Sequence, residues 1–278
     1  MRVDANNKPS QTIKVKILLL LLSLVFFTLL SSFPMALAIL STIFVHESGH
    51  LWAARKIGMP TRGIYFLPGI GGVALIEDLE IVNRENECFI SIMGPIWGGL
   101  YALSFILFSK FTGILWFSEA GLIMAAINLV NLVLPINPLD GGRILKSIAF
   151  SIHRRFGMVV NICMIPIALF LSMRYHIWIL SLVALLCFLE FRHNECKKDV
   201  DITNYLKRKT GEDFPSDASV TIKNFQKKPM NWWGILKYSA LTIVVIHGLF
   251  YMIIKSPSFI KHLEDNASKE VVKENSEH

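Results

Sequence analysis

Long apolar runs alternate with short polar, charge-bearing connections along this chain. Runs near 17–33, 35–57, 88–109, 113–135, 157–174, 176–191 and 235–254 approach the roughly 20 residues that a straight helix needs to cross a bilayer. They predict an all-α polytopic membrane protein with six or seven transmembrane helices. Pro34 suits a first helical turn but not a helix interior, and it marks the turn between the first two runs. The pattern breaks between 58 and 87, where Leu67-Pro68-Gly69-Ile70-Gly71-Gly72 leads into Val73-Ala74-Leu75-Ile76. Pro and Gly followed by a short β-prone run predict a tight turn and a strand, so the helical fold gains a short membrane-associated β segment.

On this pattern the chain divides into an N-terminal tail (1–16), a membrane core (17–155), additional transmembrane helices (156–192), a polar cytoplasmic segment (193–232), a last transmembrane helix (233–255) and a polar tail (256–278). The segment 193–232 is mixed in charge and too short for a sizeable core of its own. The tail, carrying Glu264, Asp265, Lys269, Glu270, Lys273, Glu274 and Glu277, is expected to be solvated and partly disordered. Trp232-Trp233 reads as an aromatic anchor at the membrane interface.

Composition narrows the class. The chain has 278 residues, 53% of them hydrophobic and 18% charged, with a mean hydropathy of +0.49; this excludes an ordinary soluble domain. The net charge of +7 might point to nucleic acid, but the basic residues gather beside apolar runs, as topology determinants do, and the partner they imply is the lipid bilayer. Lys8, Lys14 and Lys16 precede the first run, and Arg55, Lys56 and Arg62 follow the second. Arg143, Lys146, Arg154 and Arg155 precede the fifth, and Arg192, Lys197 and Lys198 follow the sixth. All four clusters fall on one side if the N-terminus is cytoplasmic. Cys88, Cys163, Cys187 and Cys196 form no C-x-x-C pair and read as packing residues. Lys14, Lys16, a Leu-rich run and Ala36-Leu37-Ala38 imitate a signal peptide, but the apolar stretch continues past them, so the first run is expected to remain as an uncleaved span.

The second run holds His46-Glu47-Ser48-Gly49-His50. Residues four apart share one helix face, so His46 and His50 can point two imidazoles at one ion, with Glu47 placed to act on water there. Ionisable groups deep in a bilayer cost on the order of 2.5–3.5 kcal/mol each and mark function. A catalytic zinc site needs a third protein ligand. Glu77, Asp78 and Glu80 lie downstream in a charged stretch; Asp140 follows an apolar run and is flanked by Pro135, Pro138 and Gly141-Gly142. Such residues break a helix near the membrane, which is tolerated where the backbone lines a cavity. Asp140 is alternatively a helix N-cap at the membrane boundary.

His46-Glu47-Ser48-Gly49-His50, then Gly94-Pro95, then Asn137-Pro138-Leu139-Asp140-Gly141-Gly142 stand in the order found in site-2 proteases. Over roughly residues 15–155 the chain resembles this family of intramembrane zinc metalloproteases, in a compact form with no room for a PDZ domain. The Gly71-Gly72 segment is similar to the family's membrane-associated strand region. The resemblance implies that His46, His50 and Asp140 ligate Zn2+ and that Glu47 is the catalytic glutamate. It implies membrane-spanning or membrane-associated protein or peptide substrates, cut in regulated intramembrane proteolysis or precursor processing, with regulatory membrane proteins as possible partners. It also implies a multi-pass protein of a bacterial plasma membrane. Two positions depart from the family pattern: Trp97-Gly98-Gly99 stands where many members carry Asn, and Leu132 occupies another family Asn position, with Asn128 and Asn131 close by. Asn131 or Asn137 is then the substitute that orients substrate.

Three other readings stay open. A different membrane zinc protease would use Glu77 or Glu80 as third ligand. A non-catalytic scaffold would not require Glu47, and a metal transporter would carry more polar residues along its spans than His176, expected in a loop, and the isolated His247 supply.

Overall fold

The computed structural model describes residues 8–69, 71–77, 83–176, 179–190, 200–201, 221–222 and 227–276. Helices α1 (Lys8–Leu30) and α2 (Phe33–Lys56) are separated by Ser31 and Ser32, with Pro34 in the first turn of α2. A hairpin follows, β1 (Thr61–Leu67) and β2 (Gly71–Ile76). Then come α3 (Arg84–Thr112), α4 (Leu115–Val133), α5 (Asp140–Ile152), α6 (Arg154–Tyr175) and α7 (Ile179–Glu190). After β3 (Val200–Asp201) and β4 (Thr221–Ile222), the chain ends in α8 (Trp232–Ile254) and α9 (Pro257–Ser276).

Five of these helices, α1, α3, α4, α6 and α8, are long and apolar enough to cross a membrane. Helix α2 has 24 residues, about 36 Å at 1.5 Å per residue, and its polar site residues are what lower its hydropathy. The run expected at 176–191 contains α7, whose 12 described residues extend about 18 Å. Helix α1 is apolar all round and almost wholly exposed, as a helix against lipid should be. Trp232 and Trp233 are exposed on the first turn of α8.

The protein is an all-helical polytopic membrane fold with a small hairpin. Its centre is α2, α3 and α4, packed through Met35, Ala38, Ala102, Ala120, Met124 and Ala125, with Leu249 of α8 against them. Small side chains let the backbones approach closely, which is how helices associate without a hydrophobic drive between them. Asn83 caps α3, its side chain accepting from the Asn86 N–H at 2.7 Å, and Gly113 ends the helix in the left-handed region at φ 73°.

Two expectations of order are corrected. The helix that opens the chain begins at Lys8, inside the expected N-terminal tail. The C-terminal tail is helical as α9, because Ser256 caps it, accepting from the Phe259 N–H at 3.3 Å, and Pro257 supplies its first residue. The Ser258 N–H donates to Ser118 Oγ at 3.0 Å and ties α9 to α4. Cys88 and Cys187 are buried and Cys163 is exposed. Cys196 and most of 193–232 lie outside the described residues.

The hairpin pairs antiparallel from Thr61↔Ile76 to Leu67↔Gly71, with a bulge between Thr61 and Gly63. Phe66 of β1 packs on Leu40 and Ile43 of α2 and on Leu24 and Phe27 of α1. Lys16 donates to the Arg62 carbonyl at 2.8 Å and lies over the Tyr65 ring. The start of α1 and the start of β1 therefore meet on one face.

A buried charge cluster joins three elements. Glu87 of α3 accepts from Arg84 at 3.1 Å and from Ser147 Oγ of α5 at 2.9 Å, and the ammonium groups of Lys146 and Lys227 stand 3.4 Å away. Alongside it, the Arg84 N–H donates to the Lys228 carbonyl and the Met230 N–H to Ser151 Oγ, each at 3.0 Å. Removing one member of a buried ion cluster leaves the others with uncompensated charge. Glu87→Ala is therefore expected to cost roughly 3–5 kcal/mol in denaturation of the detergent-solubilised protein. A loss below about 1 kcal/mol, as for an exposed pair, would deny the cluster this role.

Candidate metal centre

Helix periodicity brings His46, Glu47 and His50 to the buried side of α2, and their ligand atoms lie within 4.8 Å of one another. The two imidazoles face each other, Nε2 to Nε2, at 3.1 Å. Asp140 closes the group: its carboxylate is 3.0 Å from His46 Nε2 and 3.4 Å from His50 Nε2. Asp140 does not cap α5. It is the first residue of that helix, Leu139 precedes it as the cap without a side-chain bond, and the carboxylate turns to the histidines instead. Glu77, the alternative third ligand, pairs with Arg62 beyond β2 and is not part of the His cluster; Asp78 and Glu80 lie outside the described residues.

Neighbouring bonds define which nitrogen of each ring is free. Asn128 of α4 donates through Nδ2 to the Met124 carbonyl at 2.8 Å, which turns its Oδ1 to His46 Nδ1, also at 2.8 Å. That Nδ1 must therefore carry the proton. His50 Nδ1 donates to the Ile90 carbonyl of α3 at 2.8 Å. Both Nε2 atoms are thereby turned toward each other and toward a carboxylate, and in the neutral rings they are the ones that carry the lone pairs.

The two Nε2 atoms and the carboxylate are a donor set that suits a shared cation. Zn2+ bonds His N and Asp O at about 2.0–2.2 Å in a tetrahedron, which spaces neighbouring ligand atoms at about 3.3–3.6 Å. The observed 3.0–3.4 Å lies close to that spacing, and the donor set fits the ion's chemistry. A protein carbonyl and an amide holding the far side of each imidazole are the usual support of a zinc-bound histidine.

Asn131 also reaches the centre. Its Nδ2 donates to Asp140 Oδ2 at 2.7 Å and is 3.1 Å from His46 Nε2. Of the three Asn residues the sequence leaves in play, Asn128 therefore orients a histidine and Asn131 holds the aspartate. Asn137 is buried, and neither polar atom of its side chain has a hydrogen-bond partner. Helical spacing was the signal available for Asn128, since it lies one turn before Leu132. Only the packing of α4 on α2 gives it a role.

The site also depends on side chains that are missing. A Cβ on Gly94 would run into the His50 ring and come within 2.8 Å of His46 Nε2, and one on Gly98 would run into the Asn128 amide. These two glycines, one turn apart on α3, create the space for the histidines and for the Asn that holds His46. On the other side Glu47 accepts the Ala74 N–H of β2 at 2.7 Å.

Residues 34–115 match the sequence profile of peptidase family M50, a stretch that holds His46, Glu47, His50 and Gly94 but not Asp140. The chain is similar to a zinc metalloprotease of Methanocaldococcus jannaschii, with 32% identity over 115 residues, covering 38% of this chain and 32% of that protein. The chain thus spans about a third of the length of the curated relative it matches. Among solved structures it is similar to a site-2 protease from Methanocaldococcus jannaschii, at 23% identity and a TM-score of 0.45, over 65% of this chain and 88% of that one.

Removing Asn128's carbonyl is expected to weaken zinc binding 10–100-fold, the usual effect of losing such support. Gly94→Ala is expected to abolish it by displacing both rings. Zinc content by mass spectrometry and competition with a chelator checks both; unchanged affinity in Asn128→Ala would remove the orienting role.

Proposed function

We propose that this chain is a member of peptidase family M50, whose profile residues 34–115 match, and that it is a zinc-dependent intramembrane endopeptidase of the site-2 type. His46, His50 and Asp140 hold the ion, and Glu47 moves the proton. The carrying observation is the convergence of two imidazole Nε2 atoms and a carboxylate at 3.0–3.4 Å, with a second carboxylate beside them.

Zinc, when bound, supplies Lewis acidity, polarising a peptide carbonyl and lowering the pKa of water toward about 7. The rest falls to the chain. Asn128 and the Ile90 carbonyl keep both rings in the tautomer that presents Nε2, and Asn131 holds Asp140 in place. Glu47 accepts the proton of the attacking water and delivers it to the leaving amine, so charge is returned at the end of the cycle. Burial of His46, Glu47, His50 and Asp140 strengthens each of these interactions relative to water.

The substrate is a membrane-spanning or membrane-associated protein or peptide. Helical carbonyls are hydrogen-bonded and shielded, so the segment cut must be extended. Strand β2 is the surface that receives it, since among the described residues β2 pairs only with β1 and its other edge has no strand beside it. The protein acts in a bacterial plasma membrane with its N-terminus cytoplasmic, alongside regulatory membrane proteins and without nucleic acid. The meeting of Lys16 with Arg62 and of Arg84 with Lys146 and Lys227 around Glu87 supports one basic, cytoplasmic face.

Glu47→Gln is expected to retain zinc and lose cleavage by at least about 10²-fold, within the range general acid–base catalysis supplies. Asp140→Asn is expected to lose zinc, and Glu77→Gln to retain both zinc and activity. Co-expression with single-span membrane substrates, scored by immunoblot, checks all three; cleavage surviving in Glu47→Gln would overturn the mechanism.

A further inference from the structure

Strand β2 lies against the helix that carries the histidines. Side chains alternate across a strand, so Gly72 and Ala74 share one face, and Val73 and Leu75 the other. Val73 and Leu75 are exposed. The opposite face turns to α2: a Cβ on Gly72 would stand 2.5 Å from Ile43 Cγ2 and 2.9 Å from Glu47 Cγ. The smallest side chains of the strand are thus where it meets the site.

The backbone of β2 carries a second alternation. In an antiparallel pair, successive residues direct their N–H and C=O groups toward the partner strand and then away from it. Ala74 pairs in register with Ile64, yet its N–H donates to Glu47 Oε2 of α2. Ala74 therefore presents its backbone to the outer edge of β2, and so does Gly72, two residues before it. This edge is what an added strand would need, because main-chain hydrogen bonds supply the affinity in strand addition. In the free protein, one donor of that edge is already taken by the residue assigned to move the proton.

We propose that the Ala74 N–H is a substrate-positioning and specificity-determining group. In the free protein it holds the Glu47 carboxylate on the edge of β2; an extended peptide pairing with that edge takes the N–H with its own carbonyl and releases Glu47 for the reaction. The inference rests on the peptidase reading above. It makes extended conformation itself the signal that frees the base. A short peptide, which reaches the metal centre without pairing along β2, leaves Glu47 tied.

The experiment compares two probes in the zinc-loaded, detergent-solubilised protein: a blocked dipeptide amide and unfolded β-casein. Ala74→Pro removes the donor from an N–H that β1 does not use, so the hairpin ladder is spared. Ala74→Gly keeps the donor and serves as control. In Ala74→Pro the dipeptide is expected to be cleaved several-fold faster than in the parent, while casein cleavage falls at least 10-fold. Ala74→Gly is expected to preserve the ratio of the two rates within about 2-fold, whatever it does to their absolute size. If both probes slow together in Ala74→Pro, or neither changes, the proposal is overturned. Should Ala74→Pro fail to load zinc, Gly72→Ala decides in its place, since its added Cβ pushes β2 off Glu47 and must give the same split.

A second readout needs no activity. In the metal-free protein, amide hydrogen exchange across 71–77 is expected to quicken in Glu47→Ala and to slow again when casein is added. Exchange indifferent to Glu47→Ala would also overturn the proposal. Failure of the parent to cleave either probe would instead remove the peptidase reading on which it stands.

Discussion

Two imidazole nitrogens and a carboxylate held 3.0–3.4 Å apart in an apolar helical bundle form a donor set suited to a cation, and much of the surrounding structure serves to keep them there. Each imidazole is bonded on its far side, by Asn128 for His46 and by the Ile90 carbonyl for His50. The proton on each Nδ1 has a partner, so neither ring gains by turning over. Asn131 spans Asp140 and His46, and α3 gives up side chains at Gly94 and Gly98 where they would fill the space. Together these contacts join α2 to α3 and to α4, α3 to α4, and α4 to α5. The centre is thus both the chemistry of the bundle and one of the joints that define its geometry.

The buried carboxylate at Glu87 does comparable work for α5. A 13-residue helix has little length with which to fix itself in a membrane, yet α5 carries Asp140 on its first turn and an error there opens the metal site. Ser147 and Lys146, two turns along, reach Glu87 of α3. Ile144 packs with Cys88 and Ile92 on the same helix. The position of Asp140 therefore depends on polar bonds that lie about 10 Å along the helix axis from the carboxylate itself. Burying ions in this way adds little net stability over an apolar core, but it penalises any register that separates them.

The sequence displays the candidate metal site more plainly than the scaffold around it. His46 and His50 are legible because helix periodicity alone places them on one face, and Asp140 because a carboxylate among prolines and glycines after an apolar run has few structural uses there. Most of the apolar runs are legible for the same reason, since length and hydropathy settle whether a helix can meet lipid. What escaped depends on contacts between distant residues. Asn128 and Asn131 are equal candidates by composition, and only the rotation of α4 against α2 separates their roles. Glu87 reads as one acid in a polar helix start until Ser147 and Lys227 arrive from elsewhere in the chain. Strand β1 carries Arg62 and Gly63 at its start and shows little β signal until β2 pairs with it. Helix α9 has many charges and reads as a solvated tail, but the Ser256 cap and the Ser118 contact supply an order that composition does not record.

Contact and resemblance therefore mark out units of different size. The family match ends at residue 115, before Asp140, although His46 and His50 without Asp140 leave a zinc site one ligand short. Asp140 brings in α5, and α5 is held through Glu87. Glu87 in turn stands beside Lys227, and Arg84 bonds to the Lys228 backbone. Just beyond, Met230, Ile235 and Tyr238 pack with Cys88, Ile92, Leu132 and Ile144. The constraint that begins with three ligand atoms thus runs continuously to α8, well past the last residue of the matched stretch. Helix α8 belongs to the unit around the candidate metal site by physical connection: loosening it frees the base of α3 and α5 together, and α5 is the helix that carries Asp140.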